Sequence, residues 1–258
     1  MPAIATKPLP VQGRVASESL PGPRFRIGSF NIHGGKNASG NYDLGRTAEC
    51  LRRANLDVVG LYEVHGRFWG PDQAAELGAE LGVASIFAAT ERRFWHDHFG
   101  NALLTRVALQ QVHRIPLPCT QGRKYRNMLL TQFRVGDRTV HLLAAHVDRV
   151  KDRDVQLRQI FALFHALEKP AVLIGDLNSL DGDSLIAELA AQGDSRHALR
   201  SCRKDWPKLR VDWIFTRGLK TVGSACVDDG SSDHPLMWVE LELPQSSPAD
   251  KVRRVAGK

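Results

Sequence analysis

Polar and apolar positions alternate with a period of two through much of the chain, and several of these stretches end in a polar residue. In residues 24–31, Phe25, Ile27, Ser29 and Asn31 fall on one face of an extended strand. Residues 57–64 read as a second strand, whose Val59–Leu61 face finishes in Glu63. Shorter strands are expected at 84–88 and 102–105, the latter introduced by Gly100 and Asn101. Residues 128–135 and 138–145 form a hairpin across Gly136 and Asp137, with Leu142, Ala144 and His146 on one face of its second arm. The stretch 171–179, A-V-L-I-G-D-L-N-S, begins as an apolar run in which Gly175 permits close backbone approach. Its Asp176 and Asn178 then share a face with Val172 and Ile174. Late strands are expected at 211–216, 221–227 and 236–243, with Asp212 embedded in the first.

Helical spacing interrupts these strands. Leu44, Ala48 and Leu51 give a stripe over 42–54, residues 71–81 read as a helix, and Val155, Ile160, Leu163 and Leu167 give another over 152–167. That helix stops before Lys169 and Pro170, and a further one runs from about residue 183 to 191. Residues 1–23 carry five prolines with little apolar periodicity and are expected as a flexible tail. Residues 196–210 read as a basic loop and 244–258 as a basic C-terminal tail, leaving 24–243 as a single ordered domain. Strands dominate with helices between some pairs, so the expected class is a mixed α/β sandwich.

Composition narrows the function less than patterning does. At 43% apolar and 24% charged residues, the 258-residue chain is ordinary for a globular protein. Four scattered cysteines form no C-x-x-C pair, which argues against a disulfide framework or a zinc site and for a reducing compartment. No run of eighteen apolar residues and no signal-like N-terminus is present, so a cytoplasmic protein, monomeric and without a membrane span, is expected. The net charge of +7 is carried in good part by the two terminal stretches, which leaves only +3 on residues 24–243. Global charge is therefore weak support for nucleic-acid binding.

The chemistry lies in the strand ends. Asn31, Glu63, His146, Asp176 with Asn178, and Asp212 each sit in or after an apolar run. One such residue has an ordinary explanation as a strand end or a satisfied core group. Five of them suggest one polar pocket at one edge of the sheets. Glu63, Asp176 and Asp233 are hard oxygen donors, with amide oxygens from Asn31 and Asn178, a set suited to Mg²⁺ or Mn²⁺ beside a substrate phosphate. Asp212, buried between Val211 and Trp213, needs a cationic partner, and His234 needs a carboxylate to fix its tautomer.

The ordered set F-N-I-H-G-G (30–35), D-V-V-G-L-Y-E-V (57–64), F-G-N-A-L-L-T-R (99–106), A-A-H-V-D (144–148), I-G-D-L-N-S (174–179), V-D-W-I-F (211–215) and S-D-H-P (232–235) resembles the endonuclease/exonuclease/phosphatase superfamily of metal-dependent phosphoesterases. The resemblance implies a four-layered α/β/β/α sandwich with two mainly antiparallel sheets and a site at one edge between them. It implies that Glu63 is the main metal carboxylate, with Asn31 on metal or phosphate and Asp233 near the metal. Asp176 would position or activate water, Asn178 would bind a phosphate oxygen, and His146 would bind phosphate or protonate the leaving group. His234, paired with Asp212, would contact the scissile phosphate, while Asn101 and Arg126 would support the site or bind substrate. Three departures stand out: Tyr62 where a glutamine is usual, Ala145 where a threonine is usual, and Pro235 directly after His234.

The expected activity is hydrolysis of a phosphodiester or phosphomonoester by in-line attack of an activated water, with Mg²⁺ or Mn²⁺ as cofactor. A nuclease is the alternative: the basic stretch 196–208 with Trp206, plus Arg92, Arg93, Phe94 and Trp95, could track a phosphate backbone and stack bases. The other class is a catalytically silent binding protein on the same fold, disfavoured because every charged catalytic position of the matched motifs is occupied. No exposed apolar hairpin of the kind a lipid substrate would call for is evident in the sequence.

Overall fold

The computed structural model describes residues 8–93, 95–120, 125–180, 182–200 and 211–244. Twelve strands form two six-stranded sheets among these residues. The first sheet holds β1 (Arg24–Asn31), β2 (Val58–His65), β3 (Ala84–Arg93), β4 (His96–Thr105), β11 (Lys220–Val227) and β12 (Leu236–Glu242), in the order β11-β12-β1-β2-β4-β3. The second holds β5 (Leu109–Pro116), β6 (Asn127–Val135), β7 (Arg138–His146), β8 (Ala171–Asp176), β9 (Arg196–Arg200) and β10 (Asp212–Arg217), in the order β5-β6-β7-β8-β10-β9. Each sheet is antiparallel except for one parallel pair, β1–β2 and β7–β8. A parallel pair needs a crossover, which α1 (Leu44–Ala54) and α3 (Arg153–Ala166) supply; α2 (Gln73–Leu81) and α4 (Ser184–Ala191) flank them.

Strand alternation builds the layers. Phe25 and Ile27 of β1 meet Leu142 and Ala144 of β7 and Val172 and Ile174 of β8 in the core between the sheets. The opposite faces pack on helices. Phe30, Val59 and Leu61 lie against Ala48 and Leu51 of α1, while Leu143, Ala145 and Leu173 lie against Leu157, Ile160 and Phe161 of α3. The chain is thus the four-layered α/β/β/α sandwich expected. Helix starts follow local chemistry, with Asp43, Asp72 and Asp183 accepting first-turn backbone N–H groups.

Several boundaries differ from the sequence pattern. β5 is an additional edge strand, hidden because its exposed positions are Gln110, Gln111 and Arg114 and because Gln111 takes a positive φ of 47°. β3 and β4 run further toward their shared turn than the apolar runs indicated. The start of the basic loop, Arg196–Arg200, pairs with β10 as β9, while residues 201–210 and the tail 245–258 lie outside the described residues. Residues 8–23, expected as a flexible tail, are tied to the body. Leu9, Gln12, Ala16 and Leu20 donate backbone hydrogen bonds to Val112, Ser85, Arg106 and Arg134, and Leu20 is buried in the inter-sheet core. Among the described residues no helix is long and apolar enough to cross a membrane.

Candidate active site

The carboxyl ends of the two parallel pairs face the same edge of the sandwich, where crevices for ligands open in α/β sheets. Sheet register assembles half of the site without any loop. His146 is the parallel partner of Asp176, and Asp212 is its antiparallel partner on the other side, so three adjacent strands place these residues on one rung. Gly175 allows that rung to form: a Cβ there would meet the Ala145 carbonyl oxygen at 2.3 Å. The other sheet contributes Asn31, whose Nδ2 donates to Asp176 Oδ2 across the cleft at 3.0 Å.

Asp176 is the hub. Its Oδ1 accepts the Asn178 N–H at 3.1 Å, and its Oδ2 lies 3.5 Å from His146 Nε2 and 3.9 Å from His234 Nε2. Burial, then the Asp212 charge, pushes the Asp176 carboxyl up to about 6, against the pull of His234 and Asn31. Asp212, fully buried, holds His234 Nδ1 at 2.8 Å. Burial alone would disfavour a charged His234, but the Asp212 charge and hydrogen bond, with Asp176 and Asp233 adding to them, push it up to about 10. The imidazolium is therefore the resting form at neutral pH, and it lies between two carboxylates that would otherwise repel one another.

His146 lies at the back of the rung. Arg126 Nη1 is 3.4 Å from His146 Nδ1; a guanidinium can only donate, which assigns the ring proton to Nε2, on the Asp176 side. Arg126 is itself buried, its guanidinium 5.6 Å above the Phe99 ring, and burial lowers its pKa. Asn101 bridges the sheets by donating Nδ2 to the side-chain and backbone oxygens of Asn127. Asn178 sits at φ 45° and turns Nδ2 to the Val147 carbonyl, leaving one amide hydrogen and the amide oxygen for other partners.

Glu63 reaches this edge by a different route from the one its spacing suggests. Val59 and Leu61 face the helices, so strict alternation would carry Glu63 to that side as well. Instead the β2–β4 register breaks between Leu61 and Val64, and Glu63 adopts φ 57°. Val64 then takes the helix-facing position and the bulge re-aims Glu63, whose charge is felt by both Arg126 and His65. Asp233 is more exposed; its Oδ1 is 3.4 Å from His33 Nδ1, and Ser232 next to it donates Oγ to the Asn31 carbonyl at 2.8 Å.

The structure thus brings Asn31, His146, Asp176, Asp212 and His234 into direct reach, with Arg126 and Asn178 bordering them. Glu63 and Asp233 act on this group electrostatically, Glu63 through Arg126 and Asp233 through His234. The one acidic and histidine group with ligand atoms within 4.8 Å of one another, among the described residues, is Asp176, Asp212 and His234. Within it, His234 Nδ1 and Asp212 Oδ2 are 2.8 Å apart. The remaining donors, the Asn31 amide and the Glu63 and Asp233 carboxylates, are all oxygen and fit a hard divalent ion. Asn127 and Ser232 were missed by sequence reasoning: each is a short polar side chain beside a residue already singled out, Arg126 and Asp233, and spacing alone does not separate it from an ordinary turn residue.

A model of the Endonuclease/Exonuclease/phosphatase family matches residues 28–234. No curated protein matches the sequence significantly. Among solved structures, an endonuclease/exonuclease/phosphatase from Beutenbergia cavernae superposes with a TM-score of 0.71 at 23% identity, covering 86% of this chain and 72% of that one. One from Bacteroides vulgatus gives 0.69 at 17% identity, covering 86% and 99%. The human Nocturnin catalytic domain with bound sulfate gives 0.67 at 16% identity, covering 92% and 98%.

Proposed function

Since the chain belongs to the endonuclease/exonuclease/phosphatase family, we propose that it is a divalent-metal-dependent phosphoesterase that cleaves a phosphodiester bond by in-line attack of water. The observation that carries this reading is the hub of Asp176 with the charged Asp212–His234 pair at its side. Asp176, its pKa raised by burial to about 6, is still ionised at neutral pH and accepts a proton from the attacking water. Asp212 keeps the proton on His234 Nδ1, and the second N–H, on Nε2, is free to donate to a phosphoryl oxygen as negative charge builds there. Arg126 and the Asn178 amide would bind the other phosphoryl oxygens. His146, carrying its proton on Nε2, orders Asp176 and can serve the leaving group. Asn31, Glu63 and Asp233 would hold Mg²⁺ or Mn²⁺, which supplies polarisation of the phosphoryl group and charge neutralisation when bound.

A second reading, cleavage of nucleic acid, is favoured by one observation. Tyr42, Phe68, Trp69, Trp95 and Tyr125 are all exposed, Trp69 at 82% and Trp95 at 79%, on segments at the same end of the sandwich as Asn31, Glu63, Asn101 and Arg126. Exposed aromatic faces beside a phosphate site suit the stacking of unpaired bases. The test is hydrolysis of a chromogenic phosphodiester, a phosphomonoester and single-stranded DNA and RNA, with Mn²⁺ or Mg²⁺ and again after EDTA. Diester turnover that stops with EDTA and with Asp176→Ala is the expected result. Turnover by Asp176→Ala equal to that of the parent would overturn it.

A further inference from the structure

Tyr62, which stands beside Glu63, has no role in the mechanism above, yet it is fully buried between the sheets at the floor of the site. Its ring meets the His146 imidazole edge to face, with centroids 5.9 Å apart and planes at 64°. Its phenol lies back along its own strand over Gly60: a Cβ at Gly60 would come within 2.8 Å of the Tyr62 hydroxyl and equally close to Ile174 Cδ1. Gly60 pairs with Ser29 of β1, so the phenol covers a rung of two small residues. The space is made for this ring. Two of the polar contacts of His146, 3.4 Å to Arg126 and 3.5 Å to Asp176, are long for hydrogen bonds and weakly directional. An aromatic edge contact adds an orientational preference that such contacts supply poorly.

We propose that Tyr62 is a positioning residue for His146, its ring fixing the plane of the imidazole against Asp176, with Gly60 as the residue that admits it. The catalytic consequence rests on the phosphoesterase reading; the geometric one does not. Four variants test it: Tyr62→Phe keeps the ring, Tyr62→Leu removes it, and Gly60→Ala displaces it while Tyr62 stays. Leu142→Ala, in the same inter-sheet layer on β7, reports general loosening of the core. Two readouts are used, the kcat and KM for a chromogenic phosphodiester with Mn²⁺, and the ring carbon–proton NMR signal of His146, assigned by its loss in His146→Gln. Tyr62→Phe is expected to keep kcat within about threefold and leave the signal in place, whereas Tyr62→Leu and Gly60→Ala lower kcat by about tenfold or more at little-changed KM and move the signal. Leu142→Ala is expected to lower the melting temperature without either effect. If Tyr62→Leu does not fold, Gly60→Ala carries the same test. An unmoved His146 signal in the folded ring-displacing variants overturns the proposal, as does a kcat loss in Leu142→Ala equal to theirs. Should the parent protein turn over no phosphoester at all, the functional reading fails separately, and the NMR signal alone decides the role of Tyr62.

Discussion

His234 carries a charge where burial alone would forbid one. It lies between Asp212 and Asp176, and the Asp212 contact at 2.8 Å holds it protonated with a pKa near 10, above the ordinary 6.5. A basic group held above its unfolded value stabilises the fold fully below about pH 6.5, and that contribution fades as pH rises toward 10. Removing it should therefore cost most at low pH. The melting-temperature gap between the parent and His234→Gln is expected to be widest near pH 6 and to narrow by pH 10. A gap that widens with pH would contradict the ion pair. Asp176 works in the opposite sense to a salt-bridged acid: burial raises its pKa to about 6, so its ionisation above that pH weighs against folding. A carboxyl kept costly in this way fits a proton acceptor better than a structural anchor.

Among the elements, β8 and its neighbours show how little freedom the site has. Gly175 sits beneath the Ala145 carbonyl, and any side chain there must push β7 away from β8. Gly175→Ala is expected to cost about 1–3 kcal/mol in denaturant unfolding, as overpacking does, and to lower kcat by separating His146 from Asp176. Unchanged stability would mean that the two strands can part without strain. Much of this was legible beforehand, because the alternation in 24–31, 138–145 and 171–176 places Asn31, His146 and Asp176 on the face that does meet the opposite sheet. The path of Glu63 was not. Alternation from Val59 and Leu61 gives it the helix side, and only the bulge at Tyr62–Glu63, a two-against-one mismatch with β4, turns it to the edge. A bulge depends on the partner strand, and V-V-G-L-Y-E-V on its own carries no mark of it. β5 and β9 escaped for a related reason: polar and basic edge strands lack the apolar face that periodicity detects.

Across the whole molecule, structure and candidate chemistry occupy opposite ends. Asn31, Asn127 and His146 lie at the strand ends where the site opens, while residues 8–23 bind Ser85, Arg106, Val112 and Arg134 at or near the other ends. Those residues lace the edges of both sheets together and bury Leu20, so their proline content predicted a tail where the chain forms a strap. Deleting residues 1–23 is expected to lower the melting temperature by several degrees, since burying a leucine alone contributes about 1.5–3 kcal/mol, and to leave KM and kcat of the folded fraction unchanged. A deletion that keeps the melting point would show the strap to be dispensable; one that abolishes turnover in a folded protein would show the two ends to be coupled. The order of the motifs along the chain gave the family and the four layers, because the motifs lie in or beside strands and the strands can be arranged around one edge in few ways.

The central claim is that a buried carboxylate holds His234 charged beside Asp176 so that phosphoryl charge can be met there. Its most direct test is the steady-state kcat of Asp212→Asn on a chromogenic phosphodiester with Mn²⁺, alongside circular dichroism to confirm the fold. A fall of about 10²–10⁴ in kcat with KM little changed is the expected result, the scale of losing a positioned proton donor. A folded Asp212→Asn protein that turns over at the parent rate would contradict the account.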